Sequence, residues 1–290
     1  MSLSTSSNIH SATTVGPIRL AVADLARMTR FYENVIGLTT LRADSTSADL
    51  GTKGGALLVQ LTCSPDTIPV TRRSPGLFHH AILLPTRVAL GRLLLHLSEA
   101  GWRLSGAGDH LVSEALYLDD PEGNGVELYV DRPRETWEFK NGHVQMDTLP
   151  VDIDSLVKEG QSDTTPWTGI DEGTTMGHIH LKVSHLEASR HFYQDILGFN
   201  VMASMPQALF LSAGGYHHHL GLNTWMSAGM LPPAPNATGL RHFGVNVPDL
   251  KELDRIKSAL TENAIPFETR GDGIFVQDPS QNGILIQVGV

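Results

Sequence analysis

The chain has 290 residues and a formal net charge of -10. Because nucleic acids and anionic membrane surfaces attract basic faces, this acidic balance argues against both as the main partner. There is a single cysteine, no signal-like N-terminus and no apolar run of membrane-spanning length, so we expect a cytoplasmic protein. The 14 histidines, several of them clustered, are the unusual feature, since clustered histidines often build metal sites.

The first predicted elements are a strand, a helix and a glycine stop. Residues 18–25 read IRLAVADL, and their alternating apolar side chains predict a strand. Apolar residues then recur at helical spacing, and Gly37 lies where a helix cap belongs. The pattern returns without a gap in residues 179–199, where IHLKVSHL, Phe-Tyr and Gly198 repeat the first copy. The chain therefore contains an internal repeat.

A second pair of similar segments follows the first. Residues 78–85 read FHHAILLP and residues 241–248 read RHFGVNVP. Each is followed by a predicted helix, an Asp-Pro turn and a final apolar strand: residues 89–100 and 120–127 in one copy, residues 250–263 and 278–285 in the other. The Asn-Gly pair before both final strands predicts a tight hairpin.

These repeats divide the chain into four modules, each a strand, a helix and roughly three more strands. The first half, residues 15–132, contains modules one (15–75) and two (76–132), and the second half, residues 174–290, contains modules three (174–232) and four (238–290). The polar stretch 133–173 breaks the pattern and is predicted to be a surface linker with a short helix at 152–159.

Four such modules, with Phe-Tyr in the helix and DPEGNGVE in the final strands, resemble the vicinal-oxygen-chelate superfamily. It includes glyoxalase I, fosfomycin-resistance enzymes, bleomycin-binding proteins and type I extradiol dioxygenases. The resemblance covers nearly the whole chain apart from the linker, and is greatest to the bacterial catechol-2,3-dioxygenase and hydroquinone-dioxygenase branch. It implies an α+β fold in which four βαβββ modules form two curved half-barrels of mixed sheet.

The resemblance also implies two metal-ligand positions in each module, one early in the first strand and one in the last strand. Module two has His79 and Glu127 at these positions, and module three has His178. Module four has His242, but Leu285 stands where a carboxylate is expected. The better-known pairing of modules three and four would thus supply two histidines without a carboxylate.

A nested pairing, with module two packed against module three, would complete a set of two histidines and one carboxylate. His79, Glu127 and His178 would converge, leaving open positions on a metal ion, and modules one and four would form a ligand-poor half. A lone histidine in an apolar strand is more often simply packed, but a buried carboxylate is costly unless it is paired or ligating. His80 and His180 are predicted to lie on the opposite strand face. The sequence leaves both pairings open, and the nested one is our hypothesis.

Residues 217–219 are three consecutive histidines in the predicted last strand of module three. The resemblance implies an acid-base histidine here, and the apolar run that follows assigns His218 to that position. Strand alternation would place His217 and His219, the alternates, on the other face. An exposed histidine run explains the pattern equally simply. Imidazole titrates near neutral pH, so it can take protons from a catechol and return them.

Further predicted site residues lie mainly in module two. The resemblance implies that Tyr117 lies near a substrate oxygen, although an ordinary half-buried strand tyrosine fits as well. His110 could line the mouth of the site or lie in a surface turn. Tyr129 shares a strand face with Glu127 and could support the metal site. Phe210 and Trp225 could form aromatic walls or belong to the core.

The function that the resemblance implies is cleavage of a catechol- or hydroquinone-like aromatic diol with O2 at a mononuclear Fe(II), or Mn(II), in a possible homodimer. One alternative is a glyoxalase-like, metal-dependent lyase or isomerase, although such sites usually carry two carboxylates. Another is a metal-free protein that binds an aromatic drug, which the three predicted ligands argue against.

Overall fold

The computed structural model describes residues 8–140 and 143–289. Module one contains β1 (Thr14–Ala21), α1 (Leu25–Phe31), β2 (Thr39–Ala43), β3 (Ser47–Gly51) and β4 (Leu57–Thr62). Module two contains β5 (Gly76–Leu83), α2 (Arg87–Glu99), β6 (Gly106–Asp109), β7 (Ser113–Asp119) and β8 (Gly125–Asp131). The connection to module three contains a 3-10 turn (Arg134–Thr136), β9 (Phe139–Lys140), β10 (His143–Val144) and α3 (Ile153–Gly160).

The second half repeats this order of elements. Module three contains β11 (Thr175–Lys182), α4 (Leu186–Arg190), β12 (Asn200–Met205), β13 (Ala208–Ser212) and β14 (Leu220–Asn223). Module four contains β15 (Gly239–Val247), α5 (Leu250–Glu262), β16 (Phe267–Arg270), β17 (Gly273–Gln277) and β18 (Gly283–Val288). Every helix in these described ranges is too short or too polar to cross a lipid bilayer.

The modules pair in the nested way. One eight-stranded mixed sheet has the order β12-β13-β14-β11-β5-β8-β7-β6 and joins module three to module two. The other has the order β16-β17-β18-β15-β1-β4-β3-β2 and joins module four to module one. In each sheet two first strands run antiparallel at the centre, β11 beside β5 and β15 beside β1. The expected α+β architecture of two mixed sheets built from repeated modules is confirmed.

The Phe-Tyr pairs of the repeat connect the two sheets. The Tyr32 hydroxyl of module one donates to Asp120 of module two at 3.4 Å, and the Tyr193 hydroxyl of module three donates to Asp278 of module four at 3.1 Å. Both tyrosines are buried, and both lie in a π-helical turn that extends the preceding helix. Gly37 ends the first of these turns with φ +87°, the left-handed conformation that a helix cap requires.

The Asn-Gly pairs do not form the centres of their hairpins, which corrects the prediction. The β7–β8 turn has its positive φ at Gly123, and the β17–β18 turn has it at Gln281. The Asn124 side chain instead donates to Asp120 across the turn, at 2.8 Å. Gly125 lacks a side chain because a Cβ there would overlap the Phe78 carbonyl of β5.

The connection between the halves, predicted to be a surface linker, makes hydrogen bonds to modules two and three. Its helix α3 covers the predicted region and begins after Asp152, whose side chain accepts from Ser155 N–H at 2.9 Å. Asp109 and Leu149 exchange two backbone hydrogen bonds of 2.8 Å, which fixes the preceding segment against module two. On the other side, His143 Nδ1 lies 3.2 Å from the Met202 carbonyl of module three. The segment is therefore a strap between both modules of one sheet.

Candidate metal centre

The structure brings His79, Glu127 and His178 together in the sheet of modules two and three. Glu127 Oε2 lies 2.9 Å from Nε2 of His79 and 3.1 Å from Nε2 of His178. One ligand atom from each residue lies within 4.8 Å of the others, and all three side chains are buried. Two imidazole nitrogens and one carboxylate oxygen at this separation form a group that can hold a metal ion.

Strand register explains why these three side chains meet. Ala81 in β5 has Glu127 of β8 as its neighbour on one side and His178 of β11 on the other. His79 lies two residues earlier in β5, so it projects from the same face. The small side chain of Ala81, which is fully buried, leaves the space between the two flanking ligands free.

The protonation states of the group suit a cation. Burial alone would raise the pKa of the Glu127 carboxyl, but the adjoining His178 and His79 outweigh it and hold this pKa well below its usual value. Burial lowers the pKa of His178 to about 4, although the Glu127 charge opposes the shift. At neutral pH the centre therefore has a charged carboxylate and a neutral His178 imidazole, which are the forms that bind metal ions.

The donor set also fits a 2-His-1-carboxylate metal site. His178 Nδ1 is buried and has no hydrogen-bond partner among the described residues, so this ring is held through its Nε2 side, where Glu127 lies. A buried carboxylate beside the neutral His178 imidazole is costly without a positive charge close to it. An ion bound by these three atoms would supply that charge and would keep positions free for other ligands.

A cavity of about 540 Å³ adjoins this group. His79 and Glu127 form part of its wall, together with the predicted residues His110, Tyr117 and His218. The His218 ring packs on the ring of His178 with their centroids 4.1 Å apart. The expected acid-base histidine thus lines the cavity and lies against one member of the metal group.

Tyr117 and His110 form a hydrogen-bonded pair beside the metal group. The Tyr117 hydroxyl lies 2.7 Å from His110 Nε2, and His110 Nδ1 lies 2.9 Å from the carbonyl of Asp147. A carbonyl only accepts, so Nδ1 carries the proton and Nε2 accepts from the tyrosine. Burial and the nearby Glu127 charge raise the pKa of Tyr117 far above its usual value, which keeps the hydroxyl protonated. The strap residue Asp147 therefore orients this pair.

The three histidines at 217–219 lie before β14 rather than in a strand, so the alternation expected for them is wrong. His217 and His218 both line the cavity. His219 is buried, and its Nδ1 accepts from the Ala213 N–H at 3.1 Å. Consecutive residues of a loop are not constrained to opposite faces, which is why His217 joins His218.

His180 was also expected on the opposite face, and this expectation is wrong. Its ring lies 4.9 Å from that of His79, and it lines the cavity together with Phe78, Phe210 and Trp225. Two-residue periodicity places His178 and His180 on the same face of the strand, so the position of His180 could have been predicted from the sequence. His80, in contrast, is fully buried on the core side.

Tyr129 supports the metal group from behind. Its ring lies 4.9 Å from the ring of His178, and its hydroxyl lies 2.7 Å from the hydroxyl of Tyr216. It is fully buried, and it does not line the cavity, so the structure gives it no direct contact with a substrate. Gly177 makes room for it, because a Cβ on this glycine would overlap the Tyr129 hydroxyl.

Gly177→Ala is therefore expected to destabilise the fold around the metal group by about 1–3 kcal/mol, the usual cost of overpacking, and to lower Tm by several degrees. Thermal unfolding of the metal-free protein measures this. Gly54→Ala is the control, since its Cβ would approach no atom closer than 3.6 Å. Equal Tm values for the two variants would show that Tyr129 does not depend on this glycine.

The alternate ligand His242 lies in β15, in the other sheet. Burial lowers its pKa to about 4, and its ring packs 6.2 Å from that of Phe275. Among the described residues, the group at His79, Glu127 and His178 is the one set of three that could hold a metal ion. The sheet of modules one and four therefore offers His242 no such partners.

Comparison with known proteins identifies the family of the chain. The family profile described as the Glyoxalase/Bleomycin resistance protein/Dioxygenase superfamily matches residues 14–128 and 175–288. The chain belongs to this superfamily. The two matched segments are the two halves on either side of the strap, so each half matches the profile separately.

One curated relative and two solved structures resemble the chain over most of its length. The chain is 41% identical to a catechol-2,3-dioxygenase of Bacillus subtilis (strain 168) over 276 residues, which are 94% of this chain and 96% of the relative. A solved candidate dioxygenase from Bacillus subtilis subsp. subtilis str. 168 has a TM-score of 0.64 at 14% identity, over 97% of this chain and 86% of that one. Glyoxalase I from Zea mays has a TM-score of 0.57 at 14% identity, over 96% and 92% of the two chains. These two structures share the fold with the chain.

Proposed function

We propose that the protein is an extradiol dioxygenase that holds Fe(II), or alternatively Mn(II), on His79, Glu127 and His178 and cleaves the ring of an aromatic diol with O2. The observation that carries the proposal is the convergence of these three ligand atoms at the wall of a cavity that also contains His218 and Tyr117. The full-length relationship to a catechol-2,3-dioxygenase supports the same reaction class.

The three ligands would occupy one side of the ion and leave the cavity side free. When bound, the metal supplies a template for the two diol oxygens and O2 and a path for electrons between them. The protein surrounds that side with aromatic rings, since Phe78, Phe210 and Trp225 line the cavity. These rings suit a flat aromatic substrate and keep bulk water from its reacting carbon atoms.

His218 and Tyr117 would handle protons and orientation. Burial, and then the neighbouring His178, lower the pKa of His218 well below its usual value, so the ring is neutral at neutral pH and can accept a proton from a diol hydroxyl. Tyr117 stays protonated, and its hydroxyl lies within hydrogen-bond distance of His110. Its oxygen could hold the second diol oxygen in place while His218 returns the proton to the cleaved product.

The charge of the cavity favours an uncharged diol. None of the described residues lining it is a lysine or arginine, while Asp119 and Asp147 contribute carboxylates. Its volume of about 540 Å³ also leaves room for a substituent on the ring.

A catechol with an ethyl group is therefore expected to have a kcat/KM at least about tenfold higher than one with a carboxylate at the same ring position, a difference of roughly 1.4 kcal/mol. Steady-state O2 uptake with both compounds measures this ratio. Equal kcat/KM values, or a higher value for the carboxylate compound, would show that the cavity contains a positively charged group that binds an acidic substituent.

The glyoxalase-like alternative is less well supported, because the described residues supply one carboxylate to the metal group rather than two. The reactions are separated by loading the protein anaerobically with Fe(II), supplying a catechol, and recording O2 uptake and the yellow colour of a ring-cleavage product. The same preparation loaded with Zn(II) or Ni(II) is tested for turnover of a thiol adduct. Turnover of the adduct without O2 uptake would favour the lyase and overturn the proposal.

The location and assembly of the protein stay predictions. A reducing cytoplasm would preserve Fe(II) and leaves the single cysteine, Cys63, as a free thiol. One sheet has β6 and β12 as its two edge strands, and the other has β2 and β16. Such edge strands could support a homodimer.

A further inference from the structure

His218 is the end of a chain of partly buried hydrogen bonds that reaches Asp131. His218 Nδ1 lies 2.8 Å from Nδ1 of His217, and His217 Nε2 lies 3.0 Å from Oδ1 of Asp131. The Tyr216 hydroxyl donates to the same carboxylate at 2.9 Å. The side chain of His217 is only 1% exposed, so water does not compete for its two ring nitrogens.

The order of donors and acceptors in this chain follows from its carboxylate end. An ionised carboxylate only accepts, so His217 Nε2 must carry the proton that Asp131 receives. In a neutral imidazole the other nitrogen is then an acceptor, so His217 Nδ1 receives its hydrogen bond from His218 Nδ1. That leaves Nε2 of His218 without a proton. Asp131 thus selects one tautomer of His218, although His217 lies between the two side chains.

We propose that Asp131 and His217 are positioning residues that hold His218 in the tautomer with a proton on Nδ1 and a free lone pair on Nε2. The consequence for catalysis rests on the proposed function, whereas the tautomer itself does not. Asp131 does not line the cavity, and so it acts on a substrate only through His217. Trp137, whose ring lies 5.3 Å from that of His217, packs against the middle of the chain and fixes its position.

Asp131→Asn tests this chain of hydrogen bonds, because an asparagine side chain has almost the same shape as an aspartate side chain. The Tyr216 hydroxyl would donate to the new amide oxygen, and the amide nitrogen would face His217 Nε2 as a donor. His217 would then carry its proton on Nδ1 and donate to His218 Nδ1, which reverses the direction of both hydrogen bonds. His218 Nε2 would become protonated and unable to accept a proton from the diol.

The experiment combines nitrogen NMR of histidine side chains, in protein loaded with diamagnetic Zn(II), with steady-state kinetics of the Fe(II) form. In the unchanged protein we expect an unprotonated Nε2 signal for His218, and in Asp131→Asn a protonated one. We also expect kcat to fall about 10- to 100-fold, the range typical of supporting residues, while KM and metal content change less than about twofold. Tyr216→Phe, which keeps the Asp131–His217 contact, should leave the His218 signals unchanged.

His219→Gln is the matched control within the same histidine run, because His219 bonds to the Ala213 backbone and not to His218. An unaltered His218 signal in Asp131→Asn, or a protonated Nε2 in the unchanged protein, would overturn the inference. Loss of kcat in step with loss of metal or of Tm would also overturn it, since that indicates a purely structural role. If the tautomer changes as expected but the unchanged protein consumes no O2, the proposed function fails and the positioning chain stands.

Discussion

Glu127→Ala is expected to abolish metal binding and, with it, all O2 consumption. Glu127 is the one carboxylate of the buried group and lies within 3.1 Å of both imidazole nitrogens. Changes to residues that only support metal ligands cost about 10- to 100-fold in affinity, so loss of the sole charged ligand should cost more than about 100-fold. Metal analysis of protein equilibrated with Fe(II) under anaerobic conditions measures the bound fraction. His79→Ala and His178→Ala should behave alike.

His242→Ala is the matched control for these ligand variants. This histidine holds the corresponding position in module four, but it lies in β15 of the other sheet. We expect the variant to bind metal and consume O2 at nearly the rate of the unchanged protein. Loss of metal from His242→Ala, with retention in His178→Ala, would contradict the site in the sheet of modules two and three.

His218→Asn is expected to lower kcat by about 10²- to 10⁴-fold, the usual contribution of a general acid-base residue, while the metal stays bound. His218 packs on His178 without belonging to the three metal ligands, so the two effects can be separated. Rapid-mixing and steady-state measurements with a neutral catechol give kcat, and metal analysis gives occupancy. His219→Asn, in the same run, should retain most of the activity.

The direction of the His218 pKa adds a pH dependence to this prediction. Burial is the main cause and His178 the next, and both lower the pKa well below the ordinary 6.5. The neutral, proton-accepting form therefore persists as the pH falls through 6.5, and kcat should not decline there with an imidazole titration. A decline with a midpoint near 6.5 in the unchanged protein, absent from His218→Asn, would contradict a neutral His218.

Much of the fold could be predicted from the sequence because similar segments recur along the chain. Alternating strands, capped helices and, in modules two and four, Asp-Pro turns are local signals, and they led to the prediction of four modules. The choice between the two module pairings is a long-range property, and neither periodicity nor composition determines it. Only the distribution of ligand types pointed to the nested pairing, since His79 and Glu127 share module two while His178 lies in module three.

The remaining features of the site depend on loops, where periodicity carries no information. His217 and His218 lie together at the cavity because the chain before β14 is irregular. The strap that supplies Asp147 is polar in sequence, and only its pairing with Asp109 brings it to the cavity. His180 is a different case, since the alternation that assigned His178 to the metal assigns His180 to the same face.

The proposed reaction depends on one ion bound by residues from the two central modules. Anomalous diffraction at the iron absorption edge, from crystals loaded with Fe(II) without oxygen, tests this directly. We expect a single strong peak at about 2 Å from Nε2 of His79, Nε2 of His178 and an Oε atom of Glu127, facing the cavity beside His218. A fully loaded crystal with its peak elsewhere, or with no peak between these three side chains, would contradict the account.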